Sequence, residues 1–291
     1  MAEITASMVM ALRGQTDAPM MDCKKALTEA DGDMSRAEEI LRVRFGNKAT
    51  KAAGRVAAEG VVSAYISKDK KFGALLEVNS ETDFCAKNEE FLNFTKNIAE
   101  VIVQQKLKDI DSLANADLGG TSLEELRTQL VGKIGENITP RRFINLSAKG
   151  SLYSYIHGSK LGVILDLESS NEELGKDIAM HIAAAKPKAI DKSGIDPKLI
   201  ETERRVAIEK AKEAGKPEEM LSKIADGTVN KFLKEITLLS QSFVKDDKVS
   251  IETLLKNNNA IIHSFYIYIV GDGIEKKAED FAAEVAAASK V

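Results

Sequence analysis

One unit of this chain is written twice. Residues 150–156, GSLYSYI, echo 60–66, GVVSAYI; residues 162–170, GVILDLESS, echo 73–81, GALLEVNSE; residues 178–186, IAMHIAAAK, echo 98–106, IAEVIVQQK. Each copy reads as strand, strand, helix. The first two runs are apolar and bounded by turn residues, and the third has the period of a helix face. In the first copy the strands flank the turn SKDKK, and Phe91, Phe94, Ile98, Val101 and Ile102 form one helical face. A duplication of this kind predicts an α+β fold whose two halves share one sheet layer.

The copies fall out of step at one place. Gly73 and Gly162 are 89 positions apart, but Ile98 and Ile178 only 80, so the first copy carries nine extra residues between strand and helix. They include SETDFCAKN, residues 80–88. The second half builds the same scaffold without them, so TDFCAKN reads as an addition, and loop additions are where function concentrates. Phe84 within it has two readings. The ring tucks under its own loop with Asp83 as a helix cap, or it is presented to a partner. The length excess favours presentation.

The flanking segments complete an expected domain plan. Residues 1–54 read as three short helices plus a flexible linker. Thr5 caps the first helix, with Ile4 and Val9 spaced as a staple. Pro19 suits the start of the second and Gly32 its end. Asp33 caps the third, whose stripe Met34, Ala37, Leu41, Phe45 is stopped by Gly46. The small, basic run NKATKAAG at 47–54 reads as the linker. Residues 55–147 form the first core half, with a helix opened by a capping box at Thr121 and Glu124. Residues 148–270 form the second half. It contains a charged, antiparallel helical hairpin at about 188–235, broken at AGKPEE, and the strand IIHSFYIYIV. Residues 271–291 give a GDG turn and a last helix with Ala278, Phe281, Ala282 and Val285 on one face.

Composition narrows the function. Charged residues make up 30% of the 291, yet net charge is only −4, which argues against nucleic acid as a direct partner. No apolar run reaches the roughly 20 residues that cross a bilayer, and the acid-containing N-terminus does not read as a secretory signal. Two cysteines, Cys23 and Cys85, are too few for a disulfide framework and suit a reducing cytoplasm. No phosphate-binding glycine loop occurs, and His157, His181 and His263 lack metal-ligand spacing. His181, on an apolar helix face, reads as a core histidine. Cys85 reads as a small apolar filler, since no base accompanies it. Arg141 and Arg142 read as a solvated pair at a strand start. The expectation is a protein without covalent chemistry, cofactor or metal. The alternatives are an RNA-associated protein using Lys48, Lys51 and Arg55, or an enzyme using Cys85 or His157.

Taken together, MMDCKKAL, LEVNSETDFCAKN, KIGEN (133–137), SYIHGSKLGVIL, IAMHIAA, VGDGIEK and DFAAEVAA resemble bacterial elongation factor Ts, over nearly the whole chain. That family usually has valine where this chain has Cys85. The resemblance implies a cytoplasmic guanine-nucleotide exchange factor that binds elongation factor Tu. It assigns disturbance of the partner's Mg²⁺ site to Thr82, Asp83, Phe84 and Cys85. It implies further contacts at Arg13, Met20 and Met21 of a ubiquitin-associated-like N-terminal unit, and at Ile134 and Gly135. His157 and Gly158 would meet a distal β-domain of the partner, the C-terminal helix would grip its G domain, and the core could support a homodimer.

Overall fold

The computed structural model describes residues 3–275. Three helices open the chain: α1 (Ala6–Thr16), α2 (Met20–Glu29) and α3 (Met34–Ala52). Their caps are those the sequence predicts, with Thr5 Oγ1 accepting from the Met8 amide at 3.3 Å and Asp33 from the Arg36 amide at 2.9 Å. Leu12, Cys23, Leu27, Leu41 and Phe45 pack into one cluster between them.

Of the flexible linker expected at 47–54, residues 47–52 are instead the end of α3, with Ala53 as its cap. A glycine inside a helix costs about 1 kcal/mol, and here burial outweighs it. Ala49 and Ala52 sit in the core of the first half. Lys48 donates to the Gly132 carbonyl at 3.1 Å and pairs with Asp22 at 2.8 Å. The helix therefore runs through Gly46.

The first half comprises β1 (Glu59–Ile66), β2 (Phe72–Ser80), α4 (Glu89–Gln104), α5 (Ile110–Leu113), α6 (Leu123–Ile134) and β3 (Thr139–Ser147). The second comprises β4 (Ser151–His157), β5 (Leu161–Glu168), α7 (Glu172–Ala185), α8 (Pro197–Glu213), α9 (Glu218–Ile236), the short ribbon β6 (Ser242–Phe243) and β7 (Asp246–Ser250), α10 (Ile251–Asn257) and β8 (Ile261–Ile269). The cap of α6 is Ser122, one residue later than the Thr121 box, and accepts from the Glu125 amide.

GALLEV and GVILDL are the middle strands of two antiparallel sheets, ordered β1-β2-β3 and β4-β5-β8. A register shift falls between Glu77 and Val78 in one and between Asp166 and Leu167 in the other, again 89 positions apart. The single shared sheet layer is corrected to two sheets packed face to face. Leu75 and Val62 meet Leu152 and Ile164 between them, while Leu76 and Val78 pack towards α4 and Leu165 and Leu167 towards α7. An apolar run without alternation needs cover on both faces, and the second sheet supplies it.

Arg141 and Arg142 are not a solvated pair. They meet the fully buried Glu77 carboxylate at 3.1 and 2.6 Å. Glu77 Oε1 also accepts from the Gly271 amide at 2.8 Å, and the arginines donate onward to the Asp272 and Ile269 carbonyls. Burial alone would raise this carboxyl. The bonds from Gly271, Asn79 and Arg142 outweigh it and hold the carboxyl below its ordinary value. His181 is a fully buried core residue, with Nε2 3.0 Å from Gln241 Oε1 and Nδ1 accepting from the Val244 amide at 3.3 Å.

Helices α8 and α9 pack on one another through Ala207, Ala211, Leu221 and Ala225, all buried. Their base, Val229 and Leu233, joins Ala189 and Ile195. The C-terminal helix expected beyond the GDG turn lies outside the described residues.

Candidate functional site

The copies differ most at the exit of the middle strand. Residues 81–88 join β2 to α4, where only 169–171 join β5 to α7. Of the nine extra residues, the connection takes five. The end of β2 takes one and the first turn of α4 takes three.

The longer connection is ordered by its own sequence. Thr82 Oγ1 accepts from the Cys85 amide at 3.2 Å, Lys87 N–H bonds to the Phe84 carbonyl at 3.1 Å, and Asn88 N–H to that of Cys85 at 2.9 Å. These make a tight turn at Cys85–Lys87. Asn88, not Asp83, then caps α4, accepting from the Glu90 and Phe91 amides. Cys85 and Ala86 are buried in the first-half core.

Phe84 projects from this turn at 79% exposure, the highest of the large apolar side chains among the described residues. Burying a Phe is worth roughly 1.5–3 kcal/mol, and the fold leaves that unused although the backbone around it is well hydrogen-bonded. Asp83 beside it pairs with Lys87 at 2.6 Å. That bond, with the nearby charge of Lys160, holds the Asp83 carboxyl below its ordinary value. Cys85 is different in kind. Burial, with the Glu136 carboxylate close by, pushes its thiol up to about 12, so it is a core group and not a nucleophile.

The other candidates lie on elements linked to this loop. Gly135 ends α6 with φ 87°, a left-handed cap, and its carbonyl accepts from Arg55 at 2.9 Å. Ile134 is half-buried against the first-half core. Glu136, which follows, accepts three hydrogen bonds from residues 81 and 82. Lys133, in the last turn of α6, pairs with Glu90 at 2.6 Å and lies 3.8 Å from Asp17, between α1 and α2. Arg13, Met20 and Met21 are exposed on those two helices, the methionines at 49% and 61%. On the other side, His157 at the end of β4 and Gly158 in the β4–β5 turn are exposed. That turn joins β1 through Ser159 O to the Val62 amide at 2.8 Å, and through Lys160 to Glu59 at 2.6 Å. A groove of about 530 Å³, lined by Asp17, Phe45, Glu90, Phe94, Leu126 and Lys133 among others, runs between the helical unit and the first half.

Sequence reasoning assigned no role to Glu136 or Lys87, and gave Arg55 only as a candidate RNA contact, whereas it bonds the Gly135 carbonyl and lies 3.3 Å from Glu81. Only the position of Glu136 directly after a glycine helix stop hinted at a turn back towards the loop. Among the described residues no acid, His or Cys cluster suits a metal ion, and no helix is long and apolar enough to cross a membrane.

Residues 81–272 match the family described as Elongation factor TS. The chain is 70% identical over 291 residues, all of both chains, to Elongation factor Ts of Methylobacillus flagellatus. It is 63% identical over 291 residues, again all of both, to that of Thiobacillus denitrificans. Against that of Aromatoleum aromaticum it is 64% identical over 288 residues, covering 99% of this chain and 97% of the relative.

Proposed function

This chain belongs to the elongation factor Ts family of translation elongation factors, and from that membership we propose that it binds elongation factor Tu carrying GDP and promotes release of the nucleotide. The observation that carries the reading is Phe84, 79% exposed on a turn whose neighbours are buried and hydrogen-bonded. A GTPase holds GDP through a phosphate cradle and Mg²⁺. A factor that accelerates release has to bind the nucleotide-free state better than the loaded one, and only that difference does work. Phe84 is suited to this. Its apolar area is unsatisfied on this chain and is buried only where the partner opens a pocket. Asp83, ionised beside it, disturbs the hydrogen bonds that orient the water shell of the partner's metal. No covalent step and no cofactor of this chain is involved.

In this reading Thr82 and Cys85 shape the turn while Phe84 and Asp83 meet the G domain. Arg13, Met20, Met21, Ile134 and Gly135 extend that contact. His157 and Gly158 meet a distal β-domain. The helical unit of residues 1–54 acts as a ubiquitin-associated-like module, 55–147 and 148–270 as duplicated core halves with α8 and α9 protruding, and 271–291 as a further grip. Self-association, where it occurs, uses the core, and the setting is the cytoplasm.

The test is release of labelled GDP from elongation factor Tu with and without this chain. A catalytic amount of the chain should accelerate release many-fold; an unchanged rate overturns the reading.

A further inference from the structure

The turn that presents Phe84 is tied down at one carboxylate. Glu136 Oε1 accepts from the Thr82 hydroxyl at 2.6 Å, and Oε2 accepts from the amides of Glu81 at 3.1 Å and Thr82 at 3.0 Å. The relationship is reciprocal. Glu81 Oε1 accepts from the Asn137 amide at 2.5 Å and lies 3.3 Å from Arg55 Nε. Arg55 donates to the Gly135 carbonyl at 2.9 Å, and Asn137 Nδ2 donates to the Arg55 carbonyl at 2.8 Å. Segments 81–82 and 136–137 thus each place a carboxylate on the other's backbone. The left-handed cap at Gly135 turns the chain so that Glu136 reaches the loop.

Charge-assisted bonds of this sort are short and strong, and one carboxylate can serve all three donors. The constraint passes on through Thr82, whose hydroxyl oxygen takes the Cys85 amide at 3.2 Å. Phe84 therefore lies between a clasped residue, Thr82, and a buried one, Cys85. An exposed ring on a slack loop would have to be ordered by its partner, at a cost to affinity that preorganisation removes.

We propose that Glu136 is the positioning residue of the Phe84 turn, holding the ring in its partner-ready geometry without touching the partner itself. The inference rests on the reading that Phe84 acts in GDP release from elongation factor Tu. It also makes a claim about this chain alone, that the Thr82 and Cys85 amides are protected by Glu136.

The test uses the full chain and two readouts, amide hydrogen exchange and GDP release. In Glu136→Ala the Thr82 and Cys85 amides exchange faster while α4 stays protected, and GDP release slows about tenfold, the scale of losing charge-assisted hydrogen bonds. Glu136→Gln stays close to the parent, because its amide oxygen can face the two N–H groups and its NH₂ the Thr82 hydroxyl. In a Phe84→Ala background Glu136→Ala brings no further slowing. Unchanged amides, a parent-like rate in Glu136→Ala, or equal slowing with and without Phe84 each overturn the inference. If Phe84→Ala itself releases GDP at the parent rate, the functional reading falls and the inference with it; if Phe84→Ala is slow and Glu136→Ala is not, the inference alone falls. Should Glu136→Ala fail to fold, Thr82→Val tests the relay through the hydroxyl: the Thr82 amide keeps its bond to Glu136, the Cys85 amide loses its acceptor and exchanges faster, and GDP release slows only where Phe84 is present, a parent-like rate overturning the inference.

Discussion

The ammonium of Lys87 stands 5.8 Å from the centre of the Phe84 ring while it holds Asp83 at 2.6 Å. The exposed ring and the carboxylate beside it therefore share one cation, four residues on from the acid. Both contacts are open to solvent and worth little to stability. They bias the geometry of two side chains that the fold otherwise leaves alone.

Phe84→Ala removes a ring that covers almost nothing in this chain. We expect thermal stability within about 0.5 kcal/mol of the parent. GDP release from elongation factor Tu should slow by roughly 10- to 150-fold, the equivalent of one buried Phe. Unfolding and release measured on one preparation separate this from a core role, which would cost about 3–5 kcal/mol and spare release per folded molecule.

Asp83→Ala should give a milder loss of exchange, because in the proposed mechanism the carboxylate acts only through the metal's water shell. Lowering free Mg²⁺ in the release assay should narrow the gap between variant and parent. A gap that stays constant across a Mg²⁺ titration would refute the metal-directed role and leave Asp83 as a partner of Lys87.

Gly132→Ala tests how the helical unit is seated. Alanine in the last turn of α6 should gain up to about 1 kcal/mol by propensity. A Cβ at this position, however, would clash with Cβ, Cγ and Cδ1 of Phe45, and that side chain belongs to both the bundle and the α3 seat. We expect the clash to win, with a net loss of about 1–3 kcal/mol in chemical denaturation. A stabilised variant would show that α3 rides on α6 with room to spare.

His181 sets a pH dependence. Burial, only partly opposed by Gln241, holds its folded value below the ordinary one near 6.5. The unfolded chain then takes up a proton that the folded chain refuses. The stabilising effect is full above about pH 6.5 and is lost as pH falls towards the folded value, with a slope no steeper than about 1.4 kcal/mol per pH unit. His181→Gln should flatten the stability curve between pH 5 and 7 relative to the parent. Parallel curves would mean that the imidazole takes up its proton as readily in the fold as in the unfolded chain.

The duplicated strands were legible because two runs with the same apolar pattern and turn residues leave few other pairings. That they become two sheets was not. GALLEV and GVILDL say that both faces are buried, and neither says by what. Gly46 misled because propensity is local, while the burial of Ala49 and Ala52 depends on the first-half core they reach. Arg141 and Arg142 looked solvated because their partner, Glu77, lies 64 and 65 positions earlier in a strand that otherwise reads as apolar. Within the candidate site, the length excess favoured an exposed ring, and Phe84 is exposed. Glu136 carried no such signal, since its partners are mostly backbone amides, which every sequence has.

Glu77 also fixes an order of events during synthesis. Its arginines at 141 and 142 emerge from the ribosome with the rest of the first sheet, but the carbonyls of Ile269 and Asp272 are made 127 and 131 residues after the arginines they bond, together with the Gly271 amide. Domains tend to fold from the N-terminus as they emerge. A nascent chain halted before residue 261 would hold the carboxylate with its arginines alone, and the second sheet, still missing β8, could not yet close fully over the first. Only a chain that has been made past residue 272 completes the seam between the halves, so the bond set at Glu77 closes one half of the core onto the other late and in one step.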